Sequence, residues 1–128
     1  MTKQKEVYKC KICGNIVEML HEGAGVMICC GQPMTFMKPL KQDPEKGEKH
    51  VPIIEKIGED KIKVKVGDVE HPMEREHYIE WIEVICGLGT FRYDLSPEDK
   101  PVAEFYIGEI KDFEVRAYCN LHGLWSSK

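Results

Sequence analysis

The chain has 128 residues, 42% of them hydrophobic and 31% charged, with a formal net charge of −4. That length admits one ordinary domain, or one small domain plus a very small one, and excludes a large multidomain architecture. The mixture of charge and apolar content excludes a disordered chain, the short apolar runs exclude a membrane span, and the acidic balance argues against a general nucleic-acid binder, which needs a concentrated basic face.

In chain order, Met1-Thr2-Lys3-Gln4-Lys5-Glu6 carries charge with no apolar core after it, so it does not read as a secretory signal, and a cytoplasmic location is the expectation. Residues 1–37 hold four of the six cysteines and little continuous apolar sequence. A domain of this size buries too little surface to stand alone and needs a metal or disulfides. Residues 38–49, polar and punctuated by Pro39, Pro44 and Gly47, read as a linker into an active-site loop.

Residues 50–128 read as an antiparallel β-sandwich, making the fold class all-β. Val51–Ile57 and Lys61–Val66 flank Gly58-Glu59-Asp60, and Ile62, Val64 and Val66 alternate with Lys61, Lys63 and Lys65 at the period of a half-buried strand, which predicts a hairpin. Tyr78–Ile85, Thr90–Tyr93, Val102–Ile107 and Phe113–Tyr118 are further runs rich in β-branched and aromatic residues. Tyr78, Trp81, Phe105 and Phe113 are expected in the core, with Cys86 as a small core residue. No segment has sustained helical periodicity.

Two groups of side chains carry chemistry. Cys10-Lys11-Ile12-Cys13-Gly14 brings two thiolates together on a turn whose amides can face the sulfurs, and Cys29-Cys30 adds a second pair after fifteen residues. Adjacent cysteines close a disulfide only with strain, and the expected compartment is reducing, so a shared ion explains both pairs better. Such a tetrathiolate site suits zinc as a folding staple or a single iron, and softness alone does not choose.

The second group is His50, His71, His77, Cys119 and His122, four of the five histidines with a cysteine in Cys-x-x-His spacing; His21 stands outside it. Five ligands exceed a closed zinc site and leave one position of an octahedral ion open for chemistry. Imidazole with thiolate favours redox-active iron, though copper or zinc can occupy such a set. Glu48 and Lys49 precede His50; they form an ordinary solvated pair, or an anion-handling pair if the open position lies nearby.

These motifs resemble one family. Tyr8-Lys9-Cys10-Lys11-Ile12-Cys13-Gly14 with Cys29-Cys30 is similar to a desulforedoxin-like domain. Glu48-Lys49-His50-Val51-Pro52, His71-Pro72-Met73, His77-Tyr78-Ile79 and Tyr118-Cys119-Asn120-Leu121-His122-Gly123 resemble the catalytic domain of two-iron superoxide reductases of the desulfoferrodoxin type. One departure is Glu70, an acid beside His71 where the resemblance leads to a smaller neutral residue. The resemblance implies an immunoglobulin-like sandwich, an iron on Cys10, Cys13, Cys29 and Cys30, and a second iron with the four histidines equatorial and Cys119 axial. It further implies superoxide as substrate, hydrogen peroxide as product, a small electron donor such as rubredoxin, and a homodimer. Lys49 would draw superoxide in and assist protonation, and Glu48 would ligate the ferric resting state. The alternative is a non-catalytic electron-transfer or zinc-stabilised protein.

Overall fold

The structure, a computed structural model, describes residues 1–87 and 89–127 and divides into two compact units, Met1–Lys38 and Pro39–Lys128. Among the described residues the regular elements of both are strands apart from one helical turn, in keeping with the all-β expectation; the alternating patterns that predict strands lie in the second unit.

In the first unit β1 (Val7–Lys9) lies between β2 (Ile16–Glu18) and, further along the chain, β5 (Thr35–Phe36); β3 (Ile28–Cys29) pairs with β4 (Gln32–Pro33). Only Thr2, Val7, Cys10 and Met34 are buried among residues 1–38. Cys30 and Gly31 both have positive φ, +53° and +76°, between the paired residues Cys29 and Gln32. Two successive left-handed residues make the type I′ turn that suits a two-residue hairpin loop.

The second unit begins with a tethered segment rather than a free linker. The Leu40 amide donates to the Leu124 carbonyl and the Leu40 carbonyl accepts from Ser126. Asp43 Oδ1 then accepts from the Glu45 and Lys46 amides, and one helical turn follows, α1 (Gly47–His50). Those amides hold the Asp43 carboxyl below its usual range, the Lys46 contact being the larger. Among the described residues seven strands follow: β6 (Pro52–Ile57), β7 (Lys61–Val66), β8 (Ile79–Cys86), β9 (Gly89–Asp94), β10 (Val102–Tyr106), β11 (Phe113–Cys119) and β12 (Gly123–Ser126). They form two antiparallel sheets, β10-β7-β6 and β12-β11-β8-β9.

The expected β6–β7 hairpin is present, with Pro52 opposite Val66 and Ile57 opposite Lys61. The core cluster joins Ile62, Val64 and Val66 to Ile79, Ile82, Val84, Val115 and Ala117, with Phe105 within it and Phe113 packed against it. Tyr78, Trp81 and Cys86 are half-buried and lie outside that cluster. Trp81 stacks on Tyr118 instead, ring centroids 4.6 Å apart. Cys86 sits at the end of β8 opposite Gly89 and Phe113, where the sheet runs out. On β8, Glu83 is fully buried because Arg116 and Arg92 both donate to its carboxylate, at 2.7 and 3.0 Å from their Nε atoms. Charge-assisted pairing on this scale is what a buried carboxylate requires. Among the described residues no helix is long and apolar enough to cross a membrane.

Candidate metal centres

Four sulfurs converge in the first unit. Those of Cys10, Cys13, Cys29 and Cys30 all lie within 4.8 Å of one another, with Cys13 and Cys29 at 3.6 Å and Cys29 and Cys30 at 4.0 Å. All are free thiols, far beyond disulfide length. Metal–sulfur bonds of 2.3 Å in a tetrahedron put the sulfurs about 3.8 Å apart, so the spacing fits a tetrathiolate ion. The type I′ turn explains how two adjacent cysteines face one point. On the other side, Gly14 at φ +85° closes the Cys10–Cys13 turn, and the Cys13 and Asn15 amides point at the sulfurs of Cys10 and Cys13, at 3.4 and 3.5 Å. The Cys13 amide brings the Cys10 thiol down to about 6, whereas the crowding of Cys30 by Cys13 and Cys10 pushes it up to about 12. Four thiolates this close need a cation to coexist.

In the second unit His50, His71, His77 and Cys119 place their ligand atoms within 4.8 Å of one another, and His122 joins them, its Nδ1 lying 3.2 Å from His50 Nε2 and 3.8 Å from Cys119 Sγ. Four imidazoles form a square. Neighbouring ring centroids, His50–His71, His71–His77, His77–His122 and His122–His50, are 4.5, 4.7, 5.0 and 4.9 Å apart and nearly perpendicular. Across the diagonal His50 and His77 are 6.3 Å apart and inclined by only 29°. The nitrogen edges of 3.1 Å (His50–His71) and 3.2 Å (His50–His122) approach the roughly 2.9 Å expected between neighbouring ligands at 2.0–2.1 Å from one ion.

Hydrogen bonds choose which nitrogen faces inward. His50 Nδ1–H donates to the Lys46 carbonyl at 2.8 Å, one helical turn back, and His71 Nδ1–H donates to the Pro72 carbonyl at 2.6 Å, leaving both Nε2 lone pairs for the centre. His77 Nε2 is buried without a hydrogen-bond partner, an orphan that a bound ion would satisfy. His122 turns Nδ1 inward because it sits in a three-residue hairpin loop, Asn120-Leu121-His122, closed by Gly123 at φ +86°. The same turn aims the His122 and Leu121 amides at the Cys119 sulfur; burial nonetheless dominates and pushes that thiol up. Cys119 belongs to the core cluster and is fully buried, so its sulfur approaches from the core, while His77 and His122 are partly exposed. The sulfur thus lies on the core side of the group, and His77 and His122 are its members that reach solvent.

Three supporting residues escape a reading by motif. Asn120 accepts the Tyr78 amide at 3.0 Å and donates to the Glu76 carbonyl at 2.9 Å, clamping the His77 loop to the Cys119 turn. Trp125 stacks on His50 at 4.7 Å and donates Nε1–H to the His122 carbonyl. Met73 Sδ accepts the Ile79 amide. Asn120 lies inside the Cys-x-x-His motif, but neither its partners nor the four-residue β12 carries a local signal. Glu48 and Lys49 are exposed on α1, adjacent to His50.

The Desulfoferrodoxin family matches residues 42–128, and the desulfoferrodoxin N-terminal domain matches residues 2–37. The chain belongs to the desulfoferrodoxin family. It is 55% identical over 130 aligned positions to desulfoferrodoxin from Syntrophotalea carbinolica, covering 100% of this chain and 99% of that one. It is 54% identical over 127 to a desulfoferrodoxin homolog from Archaeoglobus fulgidus, covering 99% of each. The crystal structure of the superoxide reductase from Treponema pallidum superposes with a TM-score of 0.75 at 28% identity, covering 100% of both chains. The four cysteines fall within the N-terminal match, and the four histidines with Cys119 within the other.

Burial also predicts a pH dependence for this desulfoferrodoxin-family chain without its metals. Burial holds His71 at about 4, well below the ordinary 6.5, and also lowers His50 and His122. The unfolded chain takes up protons near 6.5 while the folded one resists, so the stability present above 6.5 is lost progressively as pH falls towards 4. Urea midpoints of metal-free protein should decline from about pH 7 to about pH 5. A level profile over that range contradicts the burial argument.

Proposed function

We propose that this chain is a superoxide reductase, in which one electron and two protons convert superoxide to hydrogen peroxide without forming oxygen. The observation that carries the proposal is the square of four imidazoles gathered with one buried cysteine sulfur, a five-ligand set that leaves a position of an octahedral ion unfilled. His50, His71 and His77 through Nε2, His122 through Nδ1 and Cys119 through Sγ are assigned to the catalytic iron, and Cys10, Cys13, Cys29 and Cys30 to a second iron. Bound there, ferrous iron supplies the electron and a coordination position for a small anion.

The protein's own groups do the rest. The histidine square holds the ion with one position free, and the core excludes water from the sulfur. Lys49 attracts the anion and assists proton delivery, and Glu48 is the carboxylate assigned to the ferric resting state; both assignments rest on adjacency to His50 and on the family resemblance. A reduced carrier such as rubredoxin returns the electron, and the chain works as a cytoplasmic homodimer in detoxification; the family resemblance supports the carrier and the homodimer, and a reducing compartment suits the six free cysteines.

Pulsed superoxide in anaerobic stopped flow tests the activity. Stoichiometric change of the ferrous-site spectrum is expected, whereas an unreactive site, or zinc instead of iron on metal analysis, favours the non-catalytic alternative. Lys49→Ala should slow capture about tenfold and flatten its dependence on ionic strength, since attraction at a distance is screened by salt. An unchanged rate constant and salt slope removes Lys49 from the reaction.

A further inference from the structure

We infer that Gly67 is a positioning residue that seats the backbone of Glu48 and Lys49, the two residues before His50 of the histidine square; the inference rests on the reading of those two residues as the anion-handling pair. Gly67 follows β7, is buried, and has φ +86°. A Cβ at this position would stand 2.5 Å from both Cα and the carbonyl carbon of Lys49, and 2.5 Å from the Val69 carbonyl oxygen. All three are backbone atoms, so no side-chain rotation relieves the overlap. Only glycine lets the turn after β7 pass this close to the Lys49 backbone.

The contact is reinforced on both sides. The Val69 amide donates to the Glu48 carbonyl at 3.1 Å, and the His71 amide donates to the Val66 carbonyl at 3.1 Å. The turn 66–71 thus has two duties: it delivers His71 to the square and supports the backbone of the residues before His50. Both anchors act on backbone, which leaves the Glu48 and Lys49 side chains exposed and free to meet an anion. His50 has independent restraints, its bond to Lys46 and its stack on Trp125. A side chain at 67 therefore displaces Lys49 before it displaces the ligand.

The test compares iron-loaded Gly67→Ala, Gly67→Asn and Lys49→Ala with the parent chain. Asn tolerates positive φ and separates backbone strain from the added Cβ. Both Gly67 variants should capture superoxide about tenfold more slowly, with a flattened salt dependence and weaker azide binding to the oxidised site, while the iron spectrum is retained. Adding Lys49→Ala to Gly67→Ala should bring little further loss, because the two act through one group. Parent-like capture by Gly67→Ala overturns the inference, as does full additivity. A collapsed iron spectrum also overturns it, by making Gly67 a support of the ligands His50 and His71. If Lys49→Ala itself has no effect, the underlying reading fails instead. Should neither Gly67 variant fold, hydrogen exchange of the parent decides: slow exchange at the exposed Val69 supports the seat, and exchange at the rate of an unstructured peptide removes it.

Discussion

Replacing Cys119 by Ser should lower the rate of superoxide reduction by more than about 100-fold while leaving the sandwich folded. Losing a partner of a metal ligand already diminishes affinity or activity by about 10–100-fold, and loss of the ligand itself exceeds that. The sulfur is fully buried in the core cluster, where burial disfavours a bare thiolate, while the Leu121 and His122 amides converge on it, so a cation bound from the other side is what would hold it as an anion. A serine hydroxyl is smaller, harder and stays neutral, although the same amides can bond to its oxygen. The four histidines remain, so iron should still be found on metal analysis, but the sulfur-to-iron absorption of this centre should be absent from the difference spectrum against the parent. Removing an anionic ligand also stabilises the ferrous state, so the variant should be harder to oxidise. A variant that keeps the absorption and the rate would show that Cys119 is no ligand.

Replacing Cys10 by Ser, or stripping metal from the first unit with a chelator, should unfold residues 1–38 and spare the second unit. Apart from Cys10 itself, only Thr2, Val7 and Met34 are buried there, which is too little apolar surface to offset the entropy of ordering the chain. Metal–thiolate bonding in small zinc-folded peptides contributes about 10–16 kcal/mol, the scale needed. The core cluster of the second unit lies wholly within residues 62–119 and includes none of these residues. Hydrogen exchange should therefore show loss of protection across 1–38 with protection of β7, β8 and β11 kept, and superoxide should still react at the histidine site. Retained protection in 1–38 without metal would refute the staple, and loss of the superoxide reaction with the sandwich intact would tie catalysis to the first centre.

Much of the fold was legible because strand burial has a period of two. Ile62, Val64 and Val66 declared β7, and the Gly58 turn declared its partner. Tyr78 and Trp81 misled, since aromatic character does not say which side of a sheet a residue faces; Trp81 lies across from Tyr118 rather than in the core. The short β12 escaped because four residues carry too little pattern, although Trp125 on that strand holds two of the histidines. The segment 38–49 has the composition of a linker, yet Leu40 is bonded to the backbone of β12, a contact no local composition encodes.

The sequence by itself determined the chemistry of the two centres. Thiolates at Cys-x-x-Cys and Cys-Cys, and imidazoles with one Cys-x-x-His pair, name soft and borderline ligands whatever fold gathers them. Only the tertiary structure decided their geometry: which nitrogen of each histidine turns inward, that His50 lies across from His77, that the sulfur approaches from the core, and that Gly67 lies against Lys49. The physical reason is distance along the chain. His50 meets His71 across 21 residues and His122 across 72, and those meetings depend on the order of strands in two packed sheets rather than on local spacing.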